Sequence, residues 1–128
     1  NGCSTALHLA RAGVKVALNS DHMQGFDPDL ALNPFNPWRA MYAAVTRRTE
    51  SGRVLGADER VSRLDALRMM TVDAAYLHFD EGRKGTLEPG RLGDLAVLTD
   101  DYFACDEQAI PKIRAVLTVV GGRVVHGE

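Results

Sequence analysis

Apolar and polar positions change their period along the chain, and each change predicts an element. Between Ser4 and Ala12 the residues Ala6, Leu7, Leu9 and Ala10 give a helix one apolar side. Gly13 is placed to end that helix in the left-handed conformation. The next stretch alternates with a period of two. Val14, Val16 and Leu18 share one parity, and Lys15, Ala17, Asn19 and Asp21 share the other. This predicts a β-strand up to Ser20, apolar on one face, with a carboxylate delivered at its carboxyl end. A helix that runs straight into a strand is a piece of a (βα)n pattern. In such folds chemistry sits at the carboxyl ends of the strands.

From Asp21 to Pro37 no period survives. Prolines 28, 34 and 37 and Gly25 predict a long loop, and loops of this length are usually functional or disordered. Phe26, Leu30, Leu32 and Phe35 argue for an ordered one. Asn36-Pro37 reads as a helix start, with Asn at the N-cap and Pro at the first helical position. This helix is expected to run to about Thr49 and to end at Ser51-Gly52. Met41, Ala44 and Val45 form its core stripe, and Arg47 and Arg48 occupy its last turn. Residues 53–61 read as a polar connector. Ser62 and Asp65 then form a capping box that opens a helix to about Leu77. Its predicted core stripe is Leu64, Leu67, Met70, Thr71, Ala74 and Ala75, with Met69 and Met70 as core filling.

Beyond Asp80 the pattern turns to short β-runs punctuated by Gly82, Gly85, Pro89, Gly90 and Gly93. Leu95–Leu98 suits a buried strand. Val116–Val120 and Arg123–His126, joined by Gly121-Gly122, predict a hairpin. Asp94, beside Gly93 at a strand entrance, is expected to bond a turn rather than to act in catalysis. The chain thus divides near residue 80 into an αβα part, 1–80, and a β part, 81–128. Some fifty residues of β structure cannot close a sandwich alone, so their partner strands are expected elsewhere.

Composition narrows the function classes. The chain has 128 residues, 45% of them apolar, and a net charge of −2, which points away from a nucleic-acid surface. No apolar run approaches the ~20 residues of a membrane span. Cys3 and Cys105 are the two cysteines, too distant for a CxxC site, and read as unpaired thiols of a reducing, cytoplasmic setting. His8, His22, His78 and His126 show no HxH or HxxxH spacing and make no zinc site by themselves. The first residue is Asn1, so the chain is expected to be processed or part of something longer.

Four stretches together carry a resemblance. Gly13-Val-Lys-Val-Ala-Leu-Asn-Ser-Asp21 is similar to the strand-8 segment of amidohydrolase-superfamily enzymes. Ala44-Val-Thr-Arg-Arg48, Gly52, and Ser62 through Ala75 resemble the helices that follow it. Lys84-Gly-Thr-Leu-Glu-Pro-Gly-Arg-Leu-Gly-Asp94-Leu-Ala-Val-Leu98 resembles a signature near the end of these proteins, and Thr118–Val125 resembles their terminal hairpin. The branch it resembles most is amidohydrolase family 3, the metal-dependent hydrolases related to N-acyl-D-amino-acid deacylases.

The resemblance implies an α/β fold: the C-terminal fragment of a metal-dependent (β/α)8 barrel hydrolase plus the C-terminal half of its small β-sandwich domain. Residues 1–80 would supply the last barrel strand and helices, and 81–128 the sandwich strands. It implies hydrolysis of C–N bonds, amide or amidine, by a metal-activated water. The family's strand-8 acid maps onto Asp21, as metal ligand and general base. The cofactor implied is a divalent metal, zinc, as one or two ions, whose other ligands lie upstream of this chain. Asn19 departs from the family's commoner Gly at that position. His22, Met23, Phe35 and Trp38 are candidate walls of a small-molecule pocket; a lone His after a strand is more often a solvated loop residue, and the other three could equally be core. The isolated chain is expected to be inactive, its partner being the rest of the barrel or a second copy. The competing reading is a non-catalytic module of the same fold that dimerises through open strands.

Overall fold

The computed structural model describes residues 3–20, 36–49 and 51–127. Helix α1 (Cys3–Arg11) stops where Gly13 takes φ +80°. The amides of Gly13 and Val14 turn back onto the carbonyls of Ala10 and Leu9, at 3.0 and 2.9 Å, and satisfy the end of the helix.

The strand predicted for Val14–Ser20 does not form: the segment is neither helix nor paired strand. A strand needs a ladder partner, and no described segment pairs with it. Its half-buried Val16 and Leu18 pack on the core instead, and the Leu18 amide donates to the Met69 carbonyl at 3.2 Å.

Helix α2 (Pro37–Thr46) begins as predicted. The Asn36 side chain accepts the Trp38 amide at 2.9 Å through Oδ1 and donates through Nδ2 to the Pro111 carbonyl at 3.0 Å. The helix ends earlier than expected. The buried Thr46 hydroxyl donates to the Tyr42 carbonyl at 2.7 Å and accepts the Arg48 amide at 3.2 Å, while Arg47 turns left-handed at φ +58°. Arg47 and Arg48 therefore lie beyond the helix rather than in its last turn. Arg47 reaches the Leu55 carbonyl and pairs with Glu59 at 3.0 Å; Arg48 bridges to Val54 across a turn at Gly52.

A short 3₁₀ turn, Ala57–Glu59, leads to α3 (Arg63–Met70) and α4 (Val72–Leu77). Ser62 caps α3: its Oγ accepts the Asp65 amide at 3.0 Å, the first half of the expected capping box, and donates to Asp65 Oδ2 at 2.6 Å, so the carboxylate takes the Ser62 hydroxyl. The single helix expected here is broken at Thr71, which sits at φ −122°, ψ −77°. The Thr71 hydroxyl donates to the Leu67 carbonyl at 2.8 Å, and its amide slips to the Arg68 carbonyl at 3.1 Å. A threonine that bonds back to residue i−4 bends a helix in this way. The core stripe also rotates. Ala66 and Met69 are buried, whereas Leu64, expected inside, is 54% exposed.

The sheet is antiparallel in the order β1 (Leu95–Leu98), β2 (Ala115–Val120), β3 (Arg123–Gly127). Gly121 and Gly122 both have positive φ, as a two-residue type I′ hairpin demands. Between β1 and β2 runs a turn at Asp101–Cys105 and a 3₁₀ segment, Glu107–Lys112, that the sequence pattern does not reveal. Its Ile110 is fully buried, and Ile113 just beyond it and Tyr102 before it are buried as well. Ile110, Ile113 and Tyr102 join Met41, Ala44 and Val45 of α2 and Ala66 and Met69 of α3 in one core.

Candidate functional site

Among the sequence-derived candidates, Asp21, His22, Met23 and Phe35 lie outside the described residues. Trp38 is described. Its half-buried ring packs on Tyr102, 5.6 Å between centroids and tilted by 45°, and its other side faces a cavity. Trp38 therefore both packs on the core and lines this cavity.

That cavity, of about 670 Å³, lies between α3–α4, the turns before β1, and β1 itself. Its apolar walls come from Trp38, Leu67, Ala74, Leu92, Ala96 and Leu98. The sequence pattern had assigned Leu67 and Ala74 simply to a core stripe. The rim carries His78, Asp80, Lys84 and Asp94. Both acids there are committed. Asp80 pairs with Lys84 at 3.3 Å and Arg83 at 3.4 Å, and Asp94 accepts the Gly121 amide at 2.6 Å. Asp94 thus bonds a turn, as its position beside Gly93 predicts.

On the other side of α3 a charged group surrounds the chain that leads into Asp21. Lys15 pairs with Asp73 at 3.4 Å, and with Asp65 and Arg68 these side chains line a small recess of about 190 Å³. This pairing was not legible in the sequence. Lys15 and Asp73 are far apart in sequence, and the break at Thr71 decides where Asp73 points.

A third polar group is structural. The Arg63 guanidinium donates to the Tyr102 carbonyl at 2.5 Å and to the Cys105 carbonyl at 2.8 Å, and lies over the Tyr102 ring at 5.8 Å. The Tyr102 hydroxyl returns a bond to the Arg63 carbonyl at 3.1 Å. Burial pushes the Tyr102 phenol up to about 12; Arg63 works against that shift and Cys105 adds to it. A phenol held neutral in this way serves as a donor that locks the start of α3 onto the 101–105 turn. The Cys105 thiol is free.

Among the described residues no group of three or more His, Cys, Asp or Glu side chains is placed to hold a metal ion. The described part of the chain does not itself form a metal cage. Among them also, no helix is long and apolar enough to cross a membrane.

The chain belongs to the amidohydrolase family, whose model matches residues 3–126 and fits amidohydrolase family 3. It is 33% identical over 111 residues to the N-substituted formamide deformylase of Arthrobacter pascens, a match covering 87% of this chain and 19% of the relative. It is 29% identical over 113 residues to the protein Long After Far-Red 3 of Arabidopsis thaliana, covering 85% and 19%. Among solved structures it is similar to an amidohydrolase of Thermotoga maritima, with TM-score 0.69, 21% identity and 98% of this chain covered against 26% of that one. It is also similar to a 5-methylcytosine deaminase of Klebsiella pneumoniae liganded with 5-fluorocytosine, with TM-score 0.62, 24% identity, and 94% and 26% covered. These two likenesses concern the fold. The chain spans about a fifth of the length of the curated relatives it matches.

Proposed function

We propose that this chain supplies the last strand and helices of a metal-dependent (β/α)8 barrel together with strands of a small β-sandwich, in an enzyme that hydrolyses C–N bonds of amide or amidine type. In this reading residues 1–80 belong to the barrel and 81–128 to the sandwich. One observation carries it. The family match spans residues 3–126 and so includes Gly13–Asp21, a stretch that ends in a carboxylate and resembles the strand-8 segment of this family.

Asp21 is the residue assigned to chemistry, as metal ligand and as the base that takes the proton of the attacking water. A carboxylate within hydrogen-bond reach of that water accepts the proton and returns it to the leaving nitrogen. A divalent metal, zinc in this reading, would bring the acidity of water towards neutrality when bound. The remaining ligands fall outside these 128 residues, so the isolated chain is inactive. Trp38 stands at the edge of the apolar cavity, and His22, Met23 and Phe35 complete the substrate wall in this proposal.

The test is activity of the polypeptide encoded by the reading frame that contains these residues, loaded with zinc, on N-formyl and N-acyl amides. Asp21→Asn is expected to lower kcat by at least about a thousandfold, in line with loss of a proton acceptor plus a ligand. Circular dichroism is expected to stay unchanged. Wild-type turnover by that variant would sink the assignment. So would chelator-sensitive hydrolysis by the 128-residue chain alone.

One observation favours a second reading, a non-catalytic module that associates through its strands. Along β3 every residue is exposed, with Val124 65% and Val125 60% accessible, at an edge of the described sheet. An open apolar edge is a template for pairing with another chain. A monomer in sedimentation at high concentration would remove this reading.

A further inference from the structure

Between β1 and β2 the chain leaves the sheet and returns to it at one point. The Thr99 amide donates to the Arg114 carbonyl at 2.9 Å, and the Arg114 amide donates to the Thr99 hydroxyl at 3.2 Å. The excursion between them is a compact loop with clasped ends. Loops ordinarily stay on the surface, because their backbone polar groups need partners. Here the helices supply the partners. Arg63 of α3 donates to the carbonyls of Tyr102 and Cys105, and Asn36, the cap of α2, donates to that of Pro111 at 3.0 Å. The Gln108 side-chain amide donates to the Tyr42 hydroxyl of α2 at 3.2 Å. With these bonds made, Tyr102, Ile110 and Ile113 are buried in one core with Met41, Ala44 and Val45 of α2 and Ala66 and Met69 of α3.

We propose that residues 99–113 are a strap. They fold as part of the helical unit, although the strands on either side of them belong to the sheet, and so they lock the sheet to α2 and α3. The chain then crosses between helices and sheet three times, near residue 80 and at the two ends of the strap, and residue 80 is no hinge. Sheet and helices open together. Trp38, whose ring rests on Tyr102 at 5.6 Å, is held as a fixed wall rather than a swinging one. None of these contacts depends on a hydrolytic role for the chain.

Amide hydrogen exchange on the 128-residue chain tests this, because amides that open as one unit respond together to a perturbation. Asn36→Asp keeps the acceptor that caps α2 and removes the donor to Pro111. It is expected to speed the slowest amides of the strap, of α2 and α3, and of β2 by one common factor, on the order of tenfold for a lost hydrogen bond. Arg63→Lys lacks the fork that serves two carbonyls and is expected to give the same common response from the other end of the loop. Helix amides that speed up while the strap's stay unchanged overturn its membership of the helical unit. A strap that responds with the helices while β2 does not overturns the lock between helices and sheet. Equal acceleration of all three groups in both variants is the result that supports it.

Discussion

Asp94 accepts the Gly121 amide at 2.6 Å, while the carbonyl of Gly93 accepts the Gly122 amide at 3.0 Å. The entrance of β1 thus grips the tip of the β2–β3 hairpin, across a gap of 27 residues. Removing the carboxylate leaves the Gly121 amide without this charged acceptor. Asp94→Ala is expected to cost about 1.5–3 kcal/mol in urea unfolding, the range for bonds to charged groups. Asp94→Asn keeps an acceptor oxygen and should lose less. Equal losses for the two would mean that the bond contributes little.

Gly85 is a backbone position rather than a spacer. It has φ +94°, and a Cβ there would stand 3.0 Å from the Val72 Cα and 3.2 Å from the Thr71 carbonyl oxygen. Gly85→Ala combines left-handed strain with overpacking against α4, and about 2 kcal/mol or more of lost stability is expected. Gly82 has open space around it, so Gly82→Ala should stay within about 0.5 kcal/mol of the parent. Paired thermal melts compare the two.

Phe79 stands where a helix usually places glycine. Its φ is +58°, its amide bonds the Tyr76 carbonyl, and the next amide bonds the Ala75 carbonyl, so the end of α4 is closed in the same way as that of α1. Its side chain is 92% exposed. The strain is therefore uncompensated by packing within the described residues. Phe79→Gly is expected to raise stability by about 0.5–1 kcal/mol, the relief of strain exceeding the entropy of the added glycine. A drop in melting temperature would contradict this.

Tyr102 predicts an alkaline limit. Its folded value is raised from 10.0 to about 12, so between those values the unfolded chain releases a proton that the folded chain keeps. The unfolded state then binds fewer protons, and stability falls as pH rises. The contribution is complete below pH 10 and is lost as pH approaches 12. Urea midpoints followed from pH 9 upward should slope down in the parent and flatten in Tyr102→Phe. That variant should start lower, because it lacks the bond to the Arg63 carbonyl.

What could be read in advance was what neighbours in sequence decide. The cap at Asn36, the Ser62 cap on the Asp65 amide, the glycine stop after α1 and the Gly121-Gly122 hairpin each depend on a few adjacent residues, and all are present. The misreadings share one cause. Val14–Ser20 has a strand's alternation, but a strand also needs a partner beside it. Thr71 fits a helical stripe, yet its hydroxyl competes with its own backbone. Thr46 ends α2 early by the same competition. The core contribution of Tyr102, Ile110 and Ile113 was hidden in a stretch without period, because 3₁₀ turns bury side chains at irregular spacing. For the site, Asp21 lies outside the described residues; the pattern marked Trp38, which lines the cavity, but had no means of finding Asp73. Its role depends on an ion pair to a residue 58 positions earlier.

Asn36 answers to two levels of order at once. Its oxygen serves the helix that begins beside it, while its nitrogen holds Pro111, 75 residues further on. Serine or aspartate could perform the first task, but neither offers the amide nitrogen needed for the second. During synthesis α2 can be capped as soon as Trp38 emerges, yet this contact waits until Pro111 has left the ribosome. Closing a loop of that length costs chain entropy before any packing repays it. The α2 face that will meet Ile110 must therefore wait exposed, and the vulnerable period of this fold is set by the distance from Asn36 to Pro111 rather than by the speed of its helices.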